Sequence, residues 1–122
     1  MEGHRDLQVW QKTMQFVTDI YRETAAFPRS EMYGLTNQVR RAAVSVPSNI
    51  AEGSGRSSKK EFAHFLCNAR GSLLEVETQV EIARNLGYLS DKSARDLLSK
   101  TNEIGRMLNG LHSWCEAALG FC

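Results

Sequence analysis

The stretch Gln38-Val39-Arg40-Arg41-Ala42-Ala43-Val44-Ser45-Val46-Pro47-Ser48-Asn49-Ile50-Ala51-Glu52-Gly53 reads as one helix with a proline in its middle. Leu35, Val39, Ala42, Val46 and Ile50 fall on one face of it. An arginine pair precedes the proline and an Asn/Glu pair follows it. A proline inside a helix removes one backbone hydrogen bond and clashes with the carbonyl four residues back, at about 3 kcal/mol. A chain keeps such a residue only where packing or polar contacts compensate. The helix is expected to bend at Pro47 and to end at the Gly53-Ser54-Gly55 cluster. Its small residues Ala42, Ala43, Ser45 and Ala51 permit close approach of a neighbouring backbone.

Three further helices flank this one. Asp6 is placed to cap the first, on which Leu7, Trp10, Met14, Val17, Tyr21 and Thr24 recur at steps of three and four. That is the rhythm of helices packed nearly parallel in a bundle. The helix should stop near Ala26, because the residue before Pro28 disfavours helical dihedrals. Ser30 is the N-cap expected for the proline-containing helix. Ser58 opens the third, with Glu61 at capping-box spacing and Phe62, Leu66, Ala69, Leu73, Val76, Val80 and Ala83 in the same rhythm. Gly87 closes it, and Ser90 caps a fourth carrying Ala94, Leu97, Thr101, Ile104, Leu108, Leu111, Cys115 and Ala118. No stretch alternates with period two. These segments predict an all-α fold: one domain over residues 1–122, an up-down-up-down antiparallel four-helix bundle with its second helix kinked at Pro47.

A bundle helix needs one apolar face. The first helix carries a second stripe, Val9, Phe16, Ile20 and Phe27, and the third a sparser one, Phe65, Ile82 and Leu86. Two readings stand: a wide core face, or burial against another copy of the chain. The terminal Leu119-Gly120-Phe121-Cys122 is too apolar for a free tail and is expected to fold back or to be covered.

Composition narrows the function. The 122 residues suit one domain with its own core, 42% hydrophobic and 24% charged. A net charge of +1 excludes a strong global field toward nucleic acid or membrane, yet the charge is uneven. Residues 28–60 hold Arg29, Arg40, Arg41, Arg56, Lys59 and Lys60 against Glu31 and Glu52, a net +4, with −3 elsewhere. No apolar run approaches the roughly 20 residues of a membrane span. Cys67, Cys115 and Cys122 fit no zinc spacing, and no signal peptide is evident, so reduced thiols in a cytoplasmic protein are expected.

Catalytic patterns are weak. His4, His64 and His112 are far apart from one another, and no Gly-x-Ser-x-Gly nucleophile motif is present. Glu61-Phe62-Ala63-His64 matches the Glu-x-x-His element of di-iron bundles once, where two copies are needed. Gly53-Ser54-Gly55-Arg56-Ser57 follows a helix and lacks the phosphate-loop lysine. Neither metal, cofactor nor enzymatic activity is expected.

Polar residues on the helices remain. Arg41, Ser45, Asn49 and Glu52 line one face, and with Arg70 and Glu75 they can form a structural polar network. Alternatively Arg40 and Arg41, with Arg56, Lys59 and Lys60, form a surface for phosphate oxygens. No RNA-recognition fold or aromatic stacking platform is evident, so any such binding would read charge and shape.

Taken together, Leu7-Gln8-Val9-Trp10-Gln11-Lys12, Phe27-Pro28, Glu31-Met32-Tyr33-Gly34-Leu35-Thr36-Asn37-Gln38, the run from Arg40 to Gly53, Glu61-Phe62 and Ala69-Arg70-Gly71-Ser72-Leu73-Leu74-Glu75-Val76-Glu77 carry a resemblance. The chain resembles the bacterial four-helix bundle proteins encoded within intervening sequences of large-subunit ribosomal RNA genes. The resemblance covers roughly residues 5–90, and the fourth helix matches in pattern only. It implies a ring-like homopentamer, so the expected partners are further copies of this chain. It also implies a distant relationship to the accessory proteins of diversity-generating retroelements, pentameric bundles that bind reverse transcriptase and nucleic acid through basic surfaces. A structured RNA or a nucleic-acid-handling protein is the further partner expected on that basis. The competing class is a protein-interaction scaffold without nucleic-acid binding.

Overall fold

The computed structural model describes residues 3–115. A 3-10 turn at His4–Asp6 leads into α1 (Gln8–Thr24), and a second at Arg29–Glu31 precedes α2 (Leu35–Ser54). Two longer helices follow, α3 (Lys59–Asn85) and α4 (Asp91–Cys115). Among the described residues there is no strand, and the chain is an all-helical bundle. Each helix packs on two others, α2 on α1 and α3, α4 on α3 and α1. Neighbouring helices run in opposite senses. Ser45 bonds Ser72 while Gly53 abuts Phe65, and Lys12 pairs with Glu103 while Asp19 pairs with Lys100.

Caps explain most boundaries. Ser58 Oγ accepts from Glu61 N at 3.1 Å, and Ser90 Oγ accepts from Ser93 N at 3.1 Å. Gly87, at φ +79°, lets α3 close by bonds from Gly87 N to Arg84 O and from Tyr88 N to Ala83 O. Two expected caps are corrected. Leu7, not Asp6, holds the N-cap position of α1, without a side-chain bond. Ser30 lies in the second 3-10 turn, and α2 starts five residues later at Leu35, with Gly34 at its N-cap. There Glu31 does the capping from outside, its Oε1 accepting from Leu35 N at 3.1 Å. A longer side chain can reach over the turn that Ser30 cannot span.

The other Glu31 oxygen accepts from Tyr88 Oη at 2.9 Å, tying the start of α2 to the α3–α4 turn. That hydrogen bond, with burial and the carboxylate charge behind it, holds the Tyr88 phenol above its ordinary 10.0. The protonated form is thus favoured in the fold, so this contribution to stability is complete below pH 10 and is lost as pH rises through the folded value. Wild type is expected to lose stability more steeply than Tyr88→Phe as pH rises above about 10 in urea unfolding. Parallel curves would remove the Glu31 contact from the account.

Pro47 sits inside α2, helical on both sides. Lacking an N–H, it leaves the Ala43 carbonyl without its helical partner. The next two residues supply extra donors beside that gap. Ser48 Oγ donates to Val44 O at 2.8 Å, and Asn49 Nδ2 donates to Ser45 O at 2.8 Å. The helix ends within the Gly53-Ser54-Gly55 cluster, as expected, with Gly55 at the C-cap, but Gly53 itself has a second role. It is buried in the last turn of α2, where a β-carbon would stand 2.6 Å from Phe65 Cβ. The residue is there to let α2 and α3 touch.

The core corrects the assignment of the α1 stripes. Val9, Phe16, Ile20 and Phe27, read from sequence as a stripe that could face another copy, are core residues, with Phe16 1% and Ile20 0% exposed. The stripe expected in the core is the outer one: Met14 is 43% and Tyr21 44% exposed, with Trp10 and Val17 partly covered. Thr13 and Thr24 complete the buried row, their hydroxyls bonded to Trp10 O and Ile20 O of their own helix. Phe65 on α3 is half-buried, whereas Ile82 and Leu86 are exposed as expected of a second stripe.

The α1–α4 seam is the open one. A groove of about 500 Å³ runs along it above Phe16 and Ile104. Two ion pairs bridge it, Lys12 Nζ to Glu103 Oε1 and Lys100 Nζ to Asp19 Oδ2, each at 2.7 Å. The Lys12 ammonium, chiefly through its hydrogen bond, holds the Glu103 carboxyl below its ordinary range.

The thiol expectation is corrected as well. Cys67 is disulfide-bonded, and Cys115 is a free, buried thiol whose pKa burial pushes up. Cys67 Sγ also lies 3.3 Å from His112 Nε2, a proximity hidden by a sequence separation of 45. A disulfide sulfur can only accept there, so the pair is not a nucleophile. Ala118 and Leu119–Cys122 lie outside the described residues.

Candidate nucleic-acid interface

The five cations read as one phosphate-binding surface do not converge. Arg40 turns toward α1: its Nε donates to Thr24 Oγ1 at 2.9 Å, its Nη2 to Tyr21 O at 3.4 Å, and its guanidinium stacks 4.6 Å from the Tyr21 ring. It neutralises the carbonyl end of α1 and ties α1 to α2, which removes it from the surface. Arg41 is exposed on the other flank of α2. It is separated from Arg56 by 15 positions of near-continuous helix, roughly 22 Å at the helical rise.

Arg56, Lys59 and Lys60 do lie together, at the α2–α3 turn and the start of α3. Arg56 pairs with Glu52 at 2.9 Å and stacks 4.9 Å from the Phe65 ring. Lys59 sits 4.0 Å above the ring of Trp114, near the end of α4. All three cations are exposed, and Trp114 shows about half its surface. The aromatic component was not anticipated from sequence. Its signal was there: Trp114 falls off the Ile104-Leu108-Cys115 seam, so its ring has to face outward. The start of α3 adds its own positive dipole end to this cluster.

The polar network forms in part. Ser45 and Ser72 hydroxyls bond across α2 and α3 at 2.8 Å, and Asn49 Nδ2 reaches Ser45 Oγ at 3.0 Å. Arg41 and Glu75 line the same groove, about 290 Å³, with Gln38 and Gln79, but among the described residues they form no ion pair with each other. Gln79 Oε1 is buried there without a partner. Glu52 belongs to the Arg56 pair instead. Arg70 is elsewhere, on the α3–α4 side with Glu77, Arg106 and Asn109. A rotation of 100° per residue carries it off the Ser72–Glu75 flank.

A different surface is apolar. Trp10, Met14 and Val17 of α1, with Val44, Pro47 and Ala51 of α2, line a groove of about 320 Å³. Arg40 on Tyr21 closes one end, and the edge of His4 on Trp10 closes the other, the ring centroids 4.9 Å apart.

No helix among the described residues is long and apolar enough to cross a membrane. Fold and surfaces define a small helical bundle with a cationic, aromatic-backed end and an apolar flank. The chain belongs to the 23S rRNA-intervening sequence protein family, whose model matches residues 5–110. No curated protein matches it.

Proposed function

We propose that this chain is a non-enzymatic, self-assembling bundle of the cytoplasm, a pentamer by its family resemblance, that binds structured RNA at the α2–α3 end. The convergence of Arg56, Lys59 and Lys60 beside the exposed Trp114 ring carries this reading. Three exposed cations at one end suit phosphate oxygens, which supply affinity without sequence information. An indole at the same place suits the face of an unpaired loop base. Nothing in this cluster reads base edges, so affinity should follow charge and loop shape.

The test is binding of a labelled stem-loop RNA across a salt series. The Arg56→Ala/Lys59→Ala/Lys60→Ala variant is expected to bind more weakly and to flatten the salt slope by about 2 of log K per log salt. The slope change should fall short of three full contacts because Arg56 is already partnered by Glu52. Its melting temperature should match wild type, the three side chains being exposed. Wild-type binding that is absent at low salt would leave the scaffold reading, in which the apolar flank serves assembly alone.

A further inference from the structure

The proposed self-association leaves open which surfaces meet. Two exposed apolar features of the bundle differ in shape. One is the α1–α2 groove, floored by Val17 and Pro47 and edged by Met14 and Val44. The other is a ridge on the outward face of α3, where Leu74 (58% exposed), Thr78 and Ile82 (43%) recur every four residues. They cannot meet within one chain, because α3 packs on α2 and α4 and does not touch α1.

Their dimensions and charges agree. The ridge from Leu74 to Ile82 spans roughly 12 Å at the helical rise, and the groove from Trp10 to Tyr21 roughly 16 Å. A row of side chains at every fourth position forms a continuous ridge along one helix. Arg41 lies one turn from Val44 at the groove's edge, and Glu75 one turn from Thr78 beside the ridge. Neither has an ion-pair partner among the described residues. Gly71, exposed on the same face of α3, has open space above its Cα and keeps the ridge accessible to a second backbone.

We infer that the Leu74–Thr78–Ile82 ridge of one copy seats in the α1–α2 groove of the next, with Arg41 and Glu75 facing each other across the junction. This deepens, and rests on, the reading that the chain assembles with itself. A contact between two unlike surfaces is heterologous. It propagates from copy to copy and ends only by closing a ring.

The test uses native mass spectrometry on the full chain with two variants at exposed positions, Ile82→Asp on the ridge and Met14→Asp in the groove. Each is expected to be monomeric at concentrations where wild type is assembled, with an unchanged helical circular-dichroism spectrum. Mixed one to one, they should give a heterodimer of twice the chain mass and no larger species. The Met14→Asp copy still offers a ridge, and the Ile82→Asp copy still offers a groove. Assembly of either variant like wild type, or a mixture that stays monomeric, would overturn the pairing of these two surfaces. A monomeric wild type would overturn the self-association reading itself.

Discussion

Phe16→Ala is expected to lose about 3–5 kcal/mol of stability, while Met14→Ala, two residues away, loses less than about 1. Phe16 is 1% exposed at the centre of the α1 core row, so truncation leaves a cavity that its neighbours Ile20 and Ile104 cannot fill without moving. Met14 gives up little because it is 43% exposed. The comparison is made by urea unfolding in the Ile82→Asp background, so that any loss of assembly does not add to the effect of Met14. Equal losses at the two positions would place the core on the Leu7-Trp10-Met14-Val17 stripe instead.

Gly53→Val should be comparably damaging, at about 3 kcal/mol, and Gly53→Ala should cost roughly 1–2. The first added carbon would already meet Phe65 Cβ at 2.6 Å and Phe62 Cδ1 at 2.9 Å. Phe62 can rotate, but Phe65 Cβ moves only with the α3 backbone. Alanine recovers about 1 kcal/mol of helix propensity over glycine, so the net sign measures how closely the helices approach. In thermal unfolding the valine variant should melt on the order of 10 °C lower. An alanine variant as stable as wild type would show that α2 and α3 do not touch at Gly53.

The boundaries of α3 and α4 were legible because their caps are local. Ser58, Glu61, Gly87 and Ser90 act within a few residues of themselves, and periodicity did the rest. The start of α2 was not, since its cap comes from Glu31, outside the helix. The two stripes of α1 were misassigned for a chemical reason. Thr13 reads as a polar letter that interrupts the Val9–Phe16–Ile20 row, and Thr24, which closes that buried row, falls in step with the other stripe. Their hydroxyls bond to carbonyls of the same helix, so they enter the core at little cost. The Trp10–Met14–Val17–Tyr21 row is unbroken and apolar, and looked the better seam. The candidate site was half legible. Clustered charge in residues 28–60 drew attention to five cations, but sequence does not show that Arg40 is occupied by Thr24 and Tyr21. Nor does it show that Trp114, more than 50 positions away, comes to lie under Lys59.

The open α1–α4 seam bears on the lifetime of a single copy. Exposed ion pairs such as Lys12–Glu103 and Lys100–Asp19 contribute at most about 1 kcal/mol each. One side of α1 thus rests on weak, salt-screened ties, and amides of α1 should exchange with deuterium before those of α2 and α3. A neighbour clasping the groove between α1 and α2 would hold that helix down from its other side. An orphan copy would therefore be the one whose first helix peels away and meets proteases, and degradation would trim the population to the copies that have found their neighbours.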